Sequence, residues 1–309
     1  MGYFFADAHS DTISRLYETG EDFFENKGQL DLKRLLEYGA WLQFFALWLE
    51  PCYYSDPLNH TFKLLDCYYK LISEDEHISH ANCLEDIIKN KNEGRLSSFL
   101  SIEGGEPLCG NVENLRIFHR LGVRALGLTW NYKNQLAQGV LGNSENGLTS
   151  FGYDVIDEAE RLRILIDVSH LNDKGFFEAA GCIKGPFIAS HSNSRAICPS
   201  ARNLTDEQIK AIANHGGFIG LNAYKPFVCP KDGERGYIYK HIDHIINIAG
   251  YDILGFGCDF DGMDTPALEL ADVSKAKDIV EYVEEKHGSS AAEKFAGGNL
   301  LNVIKTVIG

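Results

Sequence analysis

Tyr3-Phe4-Phe5-Ala6-Asp7-Ala8-His9-Ser10-Asp11 is an apolar run closed by a His-x-Asp pair, and its reading decides the fold. Strand side chains alternate with period two, so His9 and Asp11 are expected to point the same way, toward one ion. Alone, such a pair also serves as polar punctuation at a strand end. Recurrence gives it weight: Ser97 to Ile102 ends in Glu103, Ile164 to Ser169 in His170, Phe187 to Ser190 in His191, and Leu254 to Cys258 in Asp259. Near-continuous apolar runs mark strands buried on both faces, and the carboxyl ends of such strands are where parallel α/β enzymes carry their chemistry. His9, Asp11, Glu103, His170 and His191 are therefore candidate ligands, and Asp259 a candidate acid/base.

Eight runs with β-branched or aromatic content are expected as strands: Tyr3 to Ala8, Trp41 to Trp48, Ser97 to Ile102, Val123 to Thr129, Ile164 to Ser169, Phe187 to Ser190, Gly217 to Leu221 and Leu254 to Cys258. Helix-like segments lie between them: Leu30 to Tyr38, a long region from about Asn59 to Asn92, Asn111 to Leu121, Phe151 to Arg161, Asp173 to Ala180, Thr205 to His215 and Gly236 to Ala249. Thr205-Asp206-Glu207-Gln208 fits a capping box, with Leu204 and Ile209 placed for a hydrophobic staple and Asn214-His215-Gly216-Gly217 as stop residues. Such alternation means parallel strands with crossover helices. The expected fold is α/β, a closed (β/α)₈ TIM barrel with its metal site at the C-terminal ends of the strands. Candidates on the first, third, fifth, sixth and eighth runs would be strung out along an open sheet, whereas a barrel points them at a common centre. Later stretches, Val273 to His287, Ser290 to Ala296 and from Asn299 onward, are expected to complete the outer ring.

No Pro-rich, Gly/Ser-rich or low-complexity linker divides the 309 residues, so one barrel domain over 1–309 is expected. The 29 Lys+Arg against 44 Asp+Glu give a formal charge of -15, which disfavours nucleic acid and anionic membrane surfaces as partners. The His-x-Asp pair begins too early for a signal peptide to precede it, and no stretch is long and apolar enough to span a bilayer. Eight cysteines without a C-x-x-C pair suit reduced thiols, and the expected location is cytoplasmic.

Imidazole mixed with carboxylate is a ligand set preferred by zinc and tolerated by manganese, cobalt or iron, and the absence of thiolates argues against a structural zinc site. Five ligands exceed the needs of one open catalytic zinc. Two ions about 3.5–4 Å apart, sharing a bridging carboxylate, would use them and deprotonate a water between them, so hydrolysis is expected.

With these residues assembled, the chain resembles the membrane dipeptidase (renal dipeptidase) family of zinc metallopeptidases, within the amidohydrolase-like barrels. The resemblance rests on Asp7-Ala8-His9-Ser10-Asp11, Ile102-Glu103-Gly104-Gly105, Gly122-Val123-Arg124, Ile166-Asp167-Val168-Ser169-His170, Ala189-Ser190-His191-Ser192-Asn193, Arg202-Asn203-Leu204 and Gly257-Cys258-Asp259-Phe260-Asp261-Gly262, in order over nearly the whole chain. It implies that His9 and Asp11 bind one Zn2+, His170 and His191 a second, and Glu103 both. Mn2+, Co2+ or Fe2+ are the alternatives to zinc. It also implies that Asp259 is the acid/base serving a metal-bridging hydroxide and the departing amine. Arg202 would hold the free carboxylate of a dipeptide, a task suited to a planar bidentate donor. Tyr224 is a further pocket residue under this reading, a D-residue at the C-terminal end is compatible with it, and a homodimer is implied.

One departure stands out. Many members carry a His after Leu-Thr at the end of the fourth barrel strand, where it helps to bind the intermediate, and here Leu128-Thr129 is followed by Trp130. Asn134 still matches an Asn of the family pattern, so Trp130 and Asn134 are read as parts of an altered substrate pocket. Two other functions compete at this point: a different metal-dependent amidohydrolase (deaminase, lactonase or phosphotriesterase), and a non-catalytic dipeptide-binding barrel. The first group often uses His-x-His on the first strand or a Lys on the fourth, and neither is present. The remaining histidines, His60, His77, His80, His119, His215, His241, His244 and His287, are read as packed or solvent-facing, and Tyr53 and Tyr54 as residues near the pocket mouth.

Overall fold

The computed structural model describes residues 3–230 and 235–309. Among the described residues nine strands occur, all paired in parallel: β1 (Phe5–Asp7), β2 (Ala40–Trp48), β3 (Ile78–His80), β4 (Leu96–Glu103), β5 (Val123–Gly127), β6 (Leu165–Asp167), β7 (Ile188–Ala189), β8 (Phe218–Leu221) and β9 (Leu254–Phe256). Each expected run overlaps one of them: six strands are shorter than their runs, whereas β2 begins one residue earlier and β4 extends one residue at each end. Pairing runs β1-β2-β4-β5-β6-β7-β8-β9 and returns to β1 through Asp7 opposite Phe256. This closes an eight-stranded parallel barrel with helices between the strands, as expected.

Alternate strand residues divide into two packed sets. Ala6, Leu42, Phe44, Phe99, Ala125, Leu165, Ile188 and Phe218 pack together with Leu300, Val303 and Ile304 of the last helix, Asn299–Val307. Phe5, Phe45, Leu47, Leu100, Ile102, Leu126, Ile166, Ile219 and Leu221 pack instead with the surrounding helices. Two-sided burial is why these strands read as unbroken apolar runs.

Two local features depart from the sequence reading. The region from Asn59 to Asn92 is not one helical stretch: helix Pro57–Glu74 ends, β3 follows, and helix Leu84–Asn92 comes after it. β3 pairs only with the first residues of β4, Leu96 to Ser98, so it sits beside the amino end of that strand and outside the closed ring. Tyr68 explains the burial there: its hydroxyl meets His80 Nδ1 at 2.5 Å and Ser98 Oγ at 2.7 Å. The second departure is helix Thr12–Thr19, directly after the His-x-Asp pair. The capping box at Thr205 and Gln208 forms as expected, and Gly216 takes the left-handed conformation (φ 65°) past the helix end. No helix among the described residues is long and apolar enough to cross a membrane.

Candidate active site

Backbone pairing above the ring draws the first and last strand ends together. Ser10 bridges Phe260, Asp11 N donates to Phe260 O (2.9 Å), and Asp259 N donates to His9 O (3.3 Å). β1 stops at Asp7, so His9 and Asp11 do not share a face by strand alternation. Asp11 is instead the N-cap residue of helix Thr12–Thr19, and its side chain makes no capping bond, which leaves the carboxylate for the site. The two still meet, His9 Nε2 lying 3.8 Å from Asp11 Oδ2.

Glu103, the last residue of β4, divides its two oxygens. Oε2 faces His9 Nε2 at 3.5 Å, while Oε1 faces His170 Nε2 at 2.9 Å and His191 Nε2 at 3.5 Å. His170 and His191 approach each other to 2.8 Å through Nε2. Asp259 Oδ1 lies 3.8 Å from His9 Nε2. Three overlapping triads result, His9/Asp11/Glu103, Glu103/His170/His191 and His9/His191/Asp259, each with its ligand atoms within 4.8 Å of one another. His170 and Asp259 occupy left-handed backbone (φ 69° and 65°), costly for residues with a Cβ and tolerated where the surroundings fix them.

The imidazoles are oriented from behind. His170 Nδ1 donates to Asn131 Oδ1 (2.8 Å), and His191 Nδ1 donates to Ser190 Oγ (2.7 Å), which in turn donates to Asp167. Both rings therefore present an Nε2 lone pair to the centre, the arrangement in which outer partners fix the tautomer of a metal-ligating His. Burial drives His170 and His191 well below their ordinary pKa, keeping them neutral. Burial alone would lower His9 too, but Glu103 and Asp11 beside it outweigh that and hold it well above its usual value. Burial pushes Glu103 and Asp259 upward. His9 Nε2, Asp11 Oδ1 and Glu103 Oε2 are buried without a hydrogen-bond partner. A buried set of three carboxylates and three imidazoles with orphaned ligand atoms fits divalent cations of the zinc type.

Arg202 arrives on the loop after β7, which is folded back by the Ser194–Leu204 bridge and the Leu204 N to Asn193 O bond (2.8 Å). It is 6 % exposed and donates from Nη1 to Ser192 Oγ (3.2 Å) and from Nη2 to His191 O (3.0 Å), while buried Nε has no acceptor. A surface ion-pair role is thereby excluded. Trp130 sets its ring 6.3 Å from that of His170 and edge-on to Trp48 at 5.3 Å. Asn134 spends its amide inside its own loop, donating to Leu128 O and accepting from Leu136 N and Ala137 N. Tyr224 packs edge-on against Phe227, and its backbone N–H donates to Asn222 Oδ1 (2.6 Å).

Asn222 was not among the sequence candidates. Its Nδ2 donates to Asp259 Oδ2 at 3.0 Å, holding that carboxylate in place, although Asn222 follows the apolar run ending at Leu221 just as the candidate residues follow theirs. Asn131, Ser190 and Asp167 were also unselected; only packing reveals that they stand behind the histidines. Of the histidines set aside, His77, His244 and His287 have carboxylate partners, Asp75 (2.7 Å), Asp206 (2.8 Å) and Asp243 (2.9 Å), none of which belongs to the cluster.

A parallel barrel with buried imidazoles and carboxylates at its carboxyl mouth defines a metal-dependent hydrolase class. The profile of the family described as membrane dipeptidase (peptidase family M19) matches residues 3–308. A Klebsiella pneumoniae protein described as uncharacterized, in the pqqA 5′ region, is 36% identical over 235 residues, 72% of this chain and 86% of its own length. Dipeptidase tcpJ of Claviceps purpurea is 28% identical over 325 residues, 97% of this chain and 76% of its own. A metallopeptidase of Rhodobacter sphaeroides, solved with a phosphinate mimic of the dipeptide L-Ala-D-Ala, superposes with TM-score 0.91 at 25% identity, covering 99% of this chain and 100% of that one. The chain belongs to the membrane dipeptidase family, peptidase family M19, and is a metallo-dipeptidase of that type.

Proposed function

We propose that the protein is a binuclear zinc dipeptidase acting on dipeptides with a free C-terminal carboxylate, a D-residue being accepted at that end. The observation that carries this reading is the division of Glu103, one oxygen toward His9 and the other toward His170 and His191. His9, Asp11 and Glu103 would hold one ion, and Glu103, His170 and His191 the other, with Mn2+, Co2+ or Fe2+ as substitutes. When bound, the pair supplies a hydroxide nucleophile at neutral pH and polarises the scissile carbonyl.

The protein's own groups do the rest. Asp259 keeps Oδ2 on Asn222 and turns Oδ1 toward the centre, where it takes a proton from the attacking water and returns it to the leaving amine nitrogen. Arg202, buried and with Nε unpaired, holds the substrate carboxylate and sets the peptide bond over the cluster. Trp130, after β5, and Tyr224, after β8, would line the mouth, and Asn134 holds the loop that carries Trp130. Tolerance of a D-residue is supported by the L-Ala-D-Ala mimic in the Rhodobacter sphaeroides relative. One hydrolase domain over 1–309, a cytoplasmic setting suited to eight unpaired cysteines, and a homodimer complete the reading.

The test combines elemental analysis with a dipeptide panel. Two zinc ions per chain, cleavage of L-Ala-D-Ala and L-Ala-L-Ala, and failure on the C-terminal amides are the expected results. One ion per chain, or equal cleavage of free and amidated substrates, overturns the reading.

A further inference from the structure

Opposite Arg202, on the β2–β4–β5 side of the mouth, lies a second feature that the reaction leaves unused. Trp48 ends β2, Tyr54 follows it, Glu106 comes three residues after Glu103, and Trp130 lies beyond β5. Gly104, at φ 89°, gives the Glu106 carboxylate its place: a Cβ there would stand 2.4 Å from Glu106 Oε2 and 3.5 Å from Trp130 N. Trp48 and Trp130 meet edge to face at 5.3 Å, and Tyr132 continues the aromatic wall at 5.5 Å from Trp130.

Two oxygens in this corner are buried without a partner, Glu106 Oε1 and the Tyr54 hydroxyl. They act on each other electrostatically, with Glu103 and Tyr132 also in range of Tyr54, yet no hydrogen bond joins them. Burial holds Glu106 above the usual carboxylate range although Asn134 faces it. Unpaired buried acceptors are costly unless a donor reaches them, and a carboxylate set among aromatic faces suits a cation that carries several N–H groups.

We propose that Glu106, Tyr54, Trp48 and Trp130 form a subsite for a basic side chain, lysine or arginine, on the N-terminal residue of the dipeptide. The inference rests on the orientation in "Proposed function". Arg202 on the β7 side takes the C-terminal carboxylate, and a dipeptide laid over the cluster from there directs its N-terminal residue toward β4 and β5. Glu106 Oε1 and the Tyr54 hydroxyl accept from the guanidinium or ammonium, and the indole faces cover its alkyl stem.

The experiment compares kcat/KM for Arg-Ala with citrulline-Ala, and for Lys-Ala with norleucine-Ala, in the zinc-loaded enzyme. Each pair differs chiefly in charge at the side-chain end. A preference of about tenfold or more for the basic member is expected, the equivalent of one partly desolvated cation contact. Glu106→Gln should bring both ratios close to one, and Tyr54→Phe should lower them. Because each ratio is internal to one enzyme sample, partial misfolding cancels, and a Glu106→Gln protein that does not fold leaves Tyr54→Phe to decide. Wild-type ratios near one, or ratios unchanged in the variants, overturn the subsite while leaving the dipeptidase reading intact. Failure to cleave any of the four dipeptides overturns the reading on which it rests.

Discussion

Thr12 donates its hydroxyl hydrogen to Asp261 across 2.7 Å, joining the residue after Asp11 to the residue two beyond Asp259. The other Asp261 oxygen accepts from Gln29 N at 2.7 Å, and Asp261 holds left-handed backbone (φ 66°). The first and last strand ends, which share the single register pair Asp7–Phe256, are thus latched together above the ring.

Thr12→Val keeps the shape of the side chain and removes the donor. A buried carboxylate oxygen left unpaired costs about 1–3 kcal/mol, so denaturant unfolding should show a loss of that size. Thr12→Ser should recover most of it. Wild-type stability in Thr12→Val would show that the latch carries no load.

Gly262 follows Asp261, and a Cβ there would stand 2.1 Å from Asp11 Oδ2 and 2.6 Å from Asp259 Oδ1. Gly262→Ala must therefore displace Asp11 or Asp259. A misplacement of about 1 Å costs on the order of 100-fold in rate, so kcat/KM should fall by that much. Metal content should fall with it, and an alanine enzyme of full activity and full metal content would contradict the geometry.

Asn222→Ala frees Asp259 from its support while removing no candidate metal-ligand side chain, although Nδ2 also reaches His191 O at 3.4 Å. Outer partners of this kind typically contribute about 10–100-fold, and the loss is expected in kcat with little change in KM. Asn222→Asp should be worse than Ala, because it sets a second carboxylate against Asp259. Steady-state kinetics on one dipeptide decides the matter.

His241 provides the pH dependence of stability. Burial lowers its pKa to about 4; Ser194 N donates to Nδ1 at 3.0 Å, and Nε2 donates to Val228 O at 2.7 Å. An unfolded histidine titrates near 6.5, so between those values the unfolded chain binds the extra proton and stability rises with pH. The contribution is complete above about pH 6.5 and is lost as pH falls toward 4, a change of about 3 kcal/mol at most. His241→Gln should flatten the curve of unfolding free energy between pH 4 and 6.5. A curve as steep as that of the wild type would remove His241 as the cause.

The barrel was legible because burial on both faces leaves apolar runs, and the clustering of His9, Asp11, Glu103, His170, His191 and Asp259 because each lies at or just past the end of such a run. β3 escaped notice because three residues carry no periodicity and its burial depends on Tyr68 closing over His80, a contact made only in the folded chain. Helix Thr12–Thr19 escaped for a related reason: only Thr12, Ile13, Ser14 and Leu16 are buried, too few apolar positions for a clear stripe. Asn222 was within reach of the strand-end argument and needed only its extension to the run ending at Leu221. Asn131, Ser190 and Asp167 were not, since nothing local distinguishes a support behind an imidazole from ordinary loop polarity.

β3 pairs with Leu96 to Ser98, at the foot of the same strand whose tip carries Glu103. One strand thus serves two masters at opposite ends. Exchanges in Ile78–His80 act on the lower seam, at the end of β4 away from Glu103, so they are expected to shift the unfolding temperature more than turnover.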